Sequence, residues 1–145
     1  MKKFILIGIV FLVAILAYYI YLSVSVPKYE PTYTVLELKS DILNDSVYLK
    51  KKVWGIAANH QVIVVSSSGQ SEFEPDLEKQ YIYEGFTPIL YEFLGDTLKM
   101  YVRKASEIPS SFESAIKIEQ VVLDTPSMIE LLEKHEERGI KLLSR

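Results

Sequence analysis

The sequence predicts an α+β chain that is mostly β: an N-terminal transmembrane helix, then an antiparallel sheet or small sandwich of five to seven strands with one C-terminal helix. Three observations carry this. Phe4 to Leu22 is an uncharged run of 19 residues without Asn, Gln, Ser or Pro. The middle of the chain alternates apolar and polar residues at a period near two. One stretch after Thr125 has helical spacing with start and stop signals.

At about 1.5 Å of rise per residue, a helix over residues 4–22 covers about 28 Å, close to the hydrocarbon thickness of a bilayer. A helix is also the single-segment structure that satisfies its own backbone groups in lipid. Lys2 and Lys3 precede the run and no lysine follows until Lys28. Positive charge stays cytoplasmic, so the N-terminus is expected inside, with residues 1–3 a cytoplasmic stub. Tyr18, Tyr19 and Tyr21 fall at the far end, at headgroup level. The expected organisation is an anchor over 4–22, a linker over 23–31 marked by Pro27 and Pro31, and an extracytoplasmic β-rich domain over 32–145. The alternative is a cleaved signal peptide, with Ser23-Val24-Ser25 as the cleavage triplet and a secreted or periplasmic product.

The strands follow in order. In Thr32 to Lys39, Leu36 and Leu38 alternate with Glu37 and Lys39. In Ser46 to Trp54, Val47, Leu49 and Val53 share one face, with Tyr48, Lys50, Lys52 and Trp54 opposite. His60 to Ser66 is apolar on both faces through Val62-Ile63-Val64-Val65, which predicts a central strand. A polar, acidic loop runs from Gln70 to Lys79. Gly95-Asp96 between two apolar-rich runs predicts a type II′ hairpin over Pro88 to Lys104. Folding there pairs Phe93 with Leu98, Tyr91 with Met100 and Ile89 with Val102 on one face, and Glu92 with Lys99 and Leu90 with Tyr101 on the other. Ile116 to Leu123 reads as a strand whose apolar phase shifts, which predicts a bulge near Gln120. The helix is expected over 126–138, capped by Thr125, with Pro126 in its first turn and Gly139 at its end. Its inner stripe is Met128, Leu131, Leu132 and His135, and Glu130 and Lys134 form an i,i+4 pair.

Composition narrows the chemistry. Cysteine is absent, which excludes disulfides, Cys-bearing zinc sites and a thiol nucleophile. The domain after the anchor holds 14 of the 16 Lys and Arg and all 19 Asp and Glu, a net charge of about −5 that excludes a basic nucleic-acid face. Lys50-Lys51-Lys52 reads either as the wet face of a strand or as a contact for anionic headgroups. His60 and His135 are the two histidines, without carboxylates at metal-ligand spacing, so no metal or cofactor is expected. Ser114-Ala115-Ile116-Lys117 matches a bare Ser-x-x-Lys pattern but lacks every supporting motif of serine acyl enzymes. The alternating acids Glu72, Glu74, Asp76 and Glu78 lack the glycine and ligand order of a calcium loop. Asn44-Asp45-Ser46 is a glycosylation sequon, which matters in a secretory-pathway host. Trp54 with Asn59 and His60, at a strand end and the following turn, is the candidate ligand- or partner-binding rim.

The segments Gly55 to Ser66, Tyr81-Ile82-Tyr83-Glu84-Gly85 and the hairpin with Asp96-Thr97-Leu98 resemble uncharacterised small exported bacterial proteins with a membrane anchor. The resemblance implies an exterior β-rich domain and assigns no activity to any residue. The expected role is a non-enzymatic, single-pass protein held in the lipid bilayer through residues 4–22, whose exterior domain meets a protein partner. The alternative is a small-ligand binder or hydrolase built on the Trp54/His60 rim. A pocket holding those residues and a carboxylate favours the second, and a flat apolar patch favours the first.

Overall fold

A computed structural model describes residues 2–25, 30–55, 60–70, 73–85 and 88–143, with side chains in the first helix from Gly8 to Tyr21. The chain divides into two compact units, Met1–Glu30 and Pro31–Arg145.

The first unit is helix α1 (Lys2–Ser25), which continues past the apolar run into the stretch read as linker. Its described side chains are exposed on every side and offer no polar face. Among the described residues no helix is long and apolar enough to cross a membrane, so the expected transmembrane helix is not carried by the structure.

The second unit is mostly β, with eight strands where five to seven were expected, arranged as two four-stranded sheets, and one helix. The first sheet is a meander of β1 (Thr32–Ser40), β2 (Asp45–Trp54), β3 (His60–Ser66) and β4 (Tyr81–Glu84), antiparallel throughout. The second contains β5 (Leu90–Leu94), β6 (Thr97–Val102), β7 (Lys117–Val122) and the short β8 (Lys141–Leu142), in the order β7-β6-β5-β8. Helix α2 spans Thr125–Lys134.

The expected hairpin is present, with Phe93↔Leu98, Tyr91↔Met100, Glu92↔Lys99 and Leu90↔Tyr101 in register. Gly95 holds φ +61° while Asp96 stays at negative φ, the signature of a type II′ turn. Its two faces serve two cores. Tyr91, Leu98, Met100 and Val102 pack against Val47, Leu49, Ile63, Val65 and Tyr83 of the first sheet. Leu90, on the opposite face, packs with Met128, Leu131 and Ile140 beside Tyr101. The layers are therefore sheet, sheet and helix.

Three expectations change. The sheets are not wholly antiparallel, because β7 pairs parallel with β6. The long connection over 103–116 supplies the crossover that parallel pairing needs. No bulge interrupts β7, whose register runs unbroken from Thr97↔Lys117 to Val102↔Val122. The shift in apolar phase arises because Gln120 takes an inward place. Its Oε1 accepts from the Tyr83 hydroxyl at 3.0 Å and the Ser106 N–H at 2.7 Å, and its Nε2 donates to the Ser106 carbonyl at 3.1 Å. Burial pushes the Tyr83 hydroxyl well above the ordinary tyrosine range. Third, Asp124 rather than Thr125 caps α2, accepting from the Ser127 N–H at 2.9 Å.

Helix α2 ends at Lys134, short of the expected 138, and turns continue to Gly139. Beyond Lys134 one more helical turn closes in a Schellman arrangement, with Ile140 N–H donating to the His135 carbonyl at 2.9 Å and Gly139 N–H to the Glu136 carbonyl at 3.1 Å. Gly139 sits at φ +69°, a position that favours glycine. Glu130 and Lys134 pair at 3.0 Å, and His135 Nδ1 lies 2.7 Å from the Leu132 carbonyl oxygen.

Candidate functional site

Alternation along β2 and β3 sends Lys50, Lys52 and Trp54, with His60, Val62 and Val64, to the outer face of the first sheet, because Val47, Leu49, Ile63 and Val65 fill the inner one. The loop after β3 folds over this face as a strap. Gly69 lies so close to the Tyr48 ring that a Cβ there would stand 2.9 Å from it. The Gln70 carbonyl accepts from Lys50 Nζ at 2.7 Å. The strap is shaped locally by Asp76, whose Oδ1 accepts from the Glu78 N–H at 2.9 Å, and by Gln80, whose Oε1 accepts from the Asp76 N–H at 3.0 Å.

The lysine run is thereby split three ways, and the wet-face expectation fails for two of its members. Lys50 is buried under the strap, and burial holds its ammonium below the ordinary lysine range. Lys51 points inward and is buried, with Nζ donating to the Leu143 carbonyl at 3.2 Å. Lys52 alone of the three reaches the open part of the outer face.

There a cleft of about 410 Å³ lies between the strap and the sheet. Its walls include Lys52 and Trp54 of β2, His60 and Val62 of β3, Phe73 of the strap and Glu84 at the end of β4. Trp54 and His60 face each other across the ladder, with rings stacked at 5.6 Å and 21°. The structure thus brings together two of the three expected rim residues, while Asn59 lies outside the described residues. Lys52 Nζ stands 5.5 Å from the Tyr33 ring centre, 5.7 Å from Trp54 and 6.0 Å from Phe73. Tyr33 reaches it because β1 pairs Tyr33 with Lys52.

Lys52, Tyr33, Phe73 and Glu84 were not among the residues expected here. The pairing of Tyr33 with Lys52 follows from the β1–β2 turn once that register is drawn. Phe73 and Glu84 arrive through the strap and β4, for which no local pattern speaks.

The other candidates are engaged elsewhere. Ser114 Oγ donates to Asp45 Oδ2 at 2.7 Å, and Lys117 Nζ pairs with Glu119 at 2.6 Å, so the Ser-x-x-Lys pattern holds no dyad. Asp45 Oδ2 also accepts from the Ala115 N–H at 2.8 Å, and these bonds, that from Ser114 first, hold its carboxyl below the usual aspartate range. Among the described residues, no three His, Asp or Glu side chains gather where they could hold a metal ion.

The end of the sandwich away from Thr32 differs in character. The β1–β2 turn and the β5–β6 turn stand side by side, with Ile42 Cδ1 only 3.2 Å from where a Cβ on Gly95 would be. Ile42 is 78% exposed and Leu94 62%. The chain matches no family model, no curated protein and no solved structure.

Proposed function

We propose that the chain is a single-pass membrane protein, held by residues 4–22 with its N-terminus cytoplasmic, whose extracytoplasmic β domain acts by binding a protein partner rather than by catalysis. The anchor rests on the uncharged run and on the flanking lysines. The described side chains of α1, Gly8 to Tyr21, support it, since a helical stretch without a charged face suits an apolar surrounding. The observation offered for the binding role is the exposure of two apolar side chains, Ile42 beside Gly95 and Leu94 next to it in the chain, at the end of the domain opposite Thr32.

The test is capture of partners from gently solubilised membranes by the tagged full-length chain, compared with an Ile42→Asp, Leu94→Asp variant. Both side chains are exposed, so the double variant folds within about 1 kcal/mol of the parent. A partner retained by the parent and lost by the variant is the expected result. Turnover of a substrate by the purified protein, abolished by His60→Ala, overturns the proposal.

A second reading is favoured by one specific feature. The Trp54/His60 rim borders a cleft that includes the Glu84 carboxylate and falls within the volume range of small-molecule sites. On this reading the domain also holds a small ligand.

A further inference from the structure

The register of the first sheet places three outward side chains in one row. Lys52 pairs with Val62, and Val62 pairs with Glu84. With strands about 4.8 Å apart, the cation and the carboxylate stand about 10 Å apart at the backbone, on either side of an apolar floor. Neither forms an ion pair among the described residues. The ammonium is instead held by three aromatic rings, which position it without neutralising it. Among the described residues the cleft thus carries a cation outside any ion pair on one wall and a carboxylate outside any ion pair on the other, an arrangement complementary to a zwitterion.

The place of the cleft selects the source of that zwitterion. Thr32 opens β1 and pairs with Val53, so Tyr33, Lys52 and Trp54 occupy the end of the sheet at which the chain enters. Tyr33 is exposed, as is Trp54 (37%), and amphipathic rings of this kind beside a lysine suit the interfacial layer of a bilayer.

We infer that this cleft binds the zwitterionic headgroup of a phospholipid, with the phosphate on Lys52 and the headgroup ammonium toward Glu84. Tyr33 and Trp54 then sit at the headgroup level. The inference depends on the anchored reading above and gives the cleft its ligand class.

Trp54 is the only tryptophan of the chain, so its fluorescence reports this site alone. Full-length protein is reconstituted in phosphatidylethanolamine–phosphatidylcholine vesicles whose acyl chains are brominated near the headgroup end. Trp54 emission is expected to be quenched. An exposed ion pair with the lipid phosphate contributes up to about 1 kcal/mol, so Lys52→Gln lowers the ratio of docked to free domain by up to about fivefold, while Lys52→Arg keeps it. Glu84→Gln, at an exposed position, also lowers it. Vesicles of phosphatidylglycerol alone, which offer Glu84 no ammonium, give weaker quenching. Parent quenching that is absent, or unchanged in both charge-removing variants, overturns the inference. It is equally overturned if soluble glycerophosphoethanolamine shifts Trp54 emission while brominated lipid leaves it unquenched. Extraction with alkaline carbonate separates the two claims. Release of the chain from the vesicles defeats the anchored reading, whereas a retained chain with unquenched Trp54 defeats only the headgroup site.

Discussion

The two ends of the β domain are built differently. At the end where Thr32 opens β1, the first sheet works almost by itself. Its strands β1 to β4 present Tyr33, Lys52, Trp54, His60 and Glu84 outward, and a strap of the same region closes over part of them. At the remote end the two sheets are tied together. Ile42 of one turn meets Gly95 of the other, and Asp45 at the start of β2 accepts from Ser114 and Ala115 just before β7. One end thus has an open row of charge and aromatic surface, and the other a braced apolar tip. The lesson is that a sandwich can separate a chemically selective surface from a hydrophobic one, because strand ends at opposite poles are shaped by different connections.

The contrast can be broken at both poles together by hollowing the core between them. Leu49 is fully buried between the sheets, and Leu49→Ala is expected to cost about 2–5 kcal/mol, read as a fall in denaturant midpoint. Trp54 emission and the turn at Gly95 then lose order in one transition.

Gly95→Ala strikes the braced end alone. It forces a side chain into left-handed backbone and against Ile42, for about 1–2 kcal/mol. Thermal melting should drop while the Trp54 environment at 25 °C stays as it was.

Asp45→Asn loosens the same end by about 1 kcal/mol. It also carries a pH signature. The native carboxyl titrates below its unfolded value of 3.8, so its contribution is present above that value and lost as pH falls through the folded one. The parent should therefore lose stability on acidification below about pH 4 more steeply than the variant, as urea melts across that range would show.

The mildest change is made in the strap. Gly69→Ala meets the Tyr48 ring and lifts the strap, costing no more than about 1 kcal/mol in global stability. Faster proteolysis within 67–80 and a red shift of Trp54 are expected, with the Gly95 end unaffected.

Much of the fold could be read in advance where pattern and turn chemistry agreed. The hairpin at Gly95 was legible to the level of single pairs, because Gly95-Asp96 and two alternating runs specify register from neighbours along the chain. Strand β3 was legible as central because four consecutive apolar residues need cover on both faces. Strands β4 and β8 were not, since Tyr81–Glu84 and Lys141–Leu142 are too short to show a period. Gln120 misled because a polar residue drawn inward by Tyr83 and Ser106 looks, in one dimension, like a break in phase. Of the site, Trp54 and His60 were legible as a rim at a strand end, but their four companions came from strand pairing and from the strap.

Local order was therefore determined by the amino-acid sequence itself: alternation, turn glycines and helix signals act over a few residues, and they set β1 to β3, the β5–β6 hairpin and α2. Only the tertiary structure decided the parallel place of β7, the burial of Lys50 and Lys51, and the row of Lys52, Val62 and Glu84. Those depend on segments far apart in the chain meeting across a sheet or beneath a strap. Their cost in chain entropy and their gain in burial are balanced over the whole domain rather than within any one stretch.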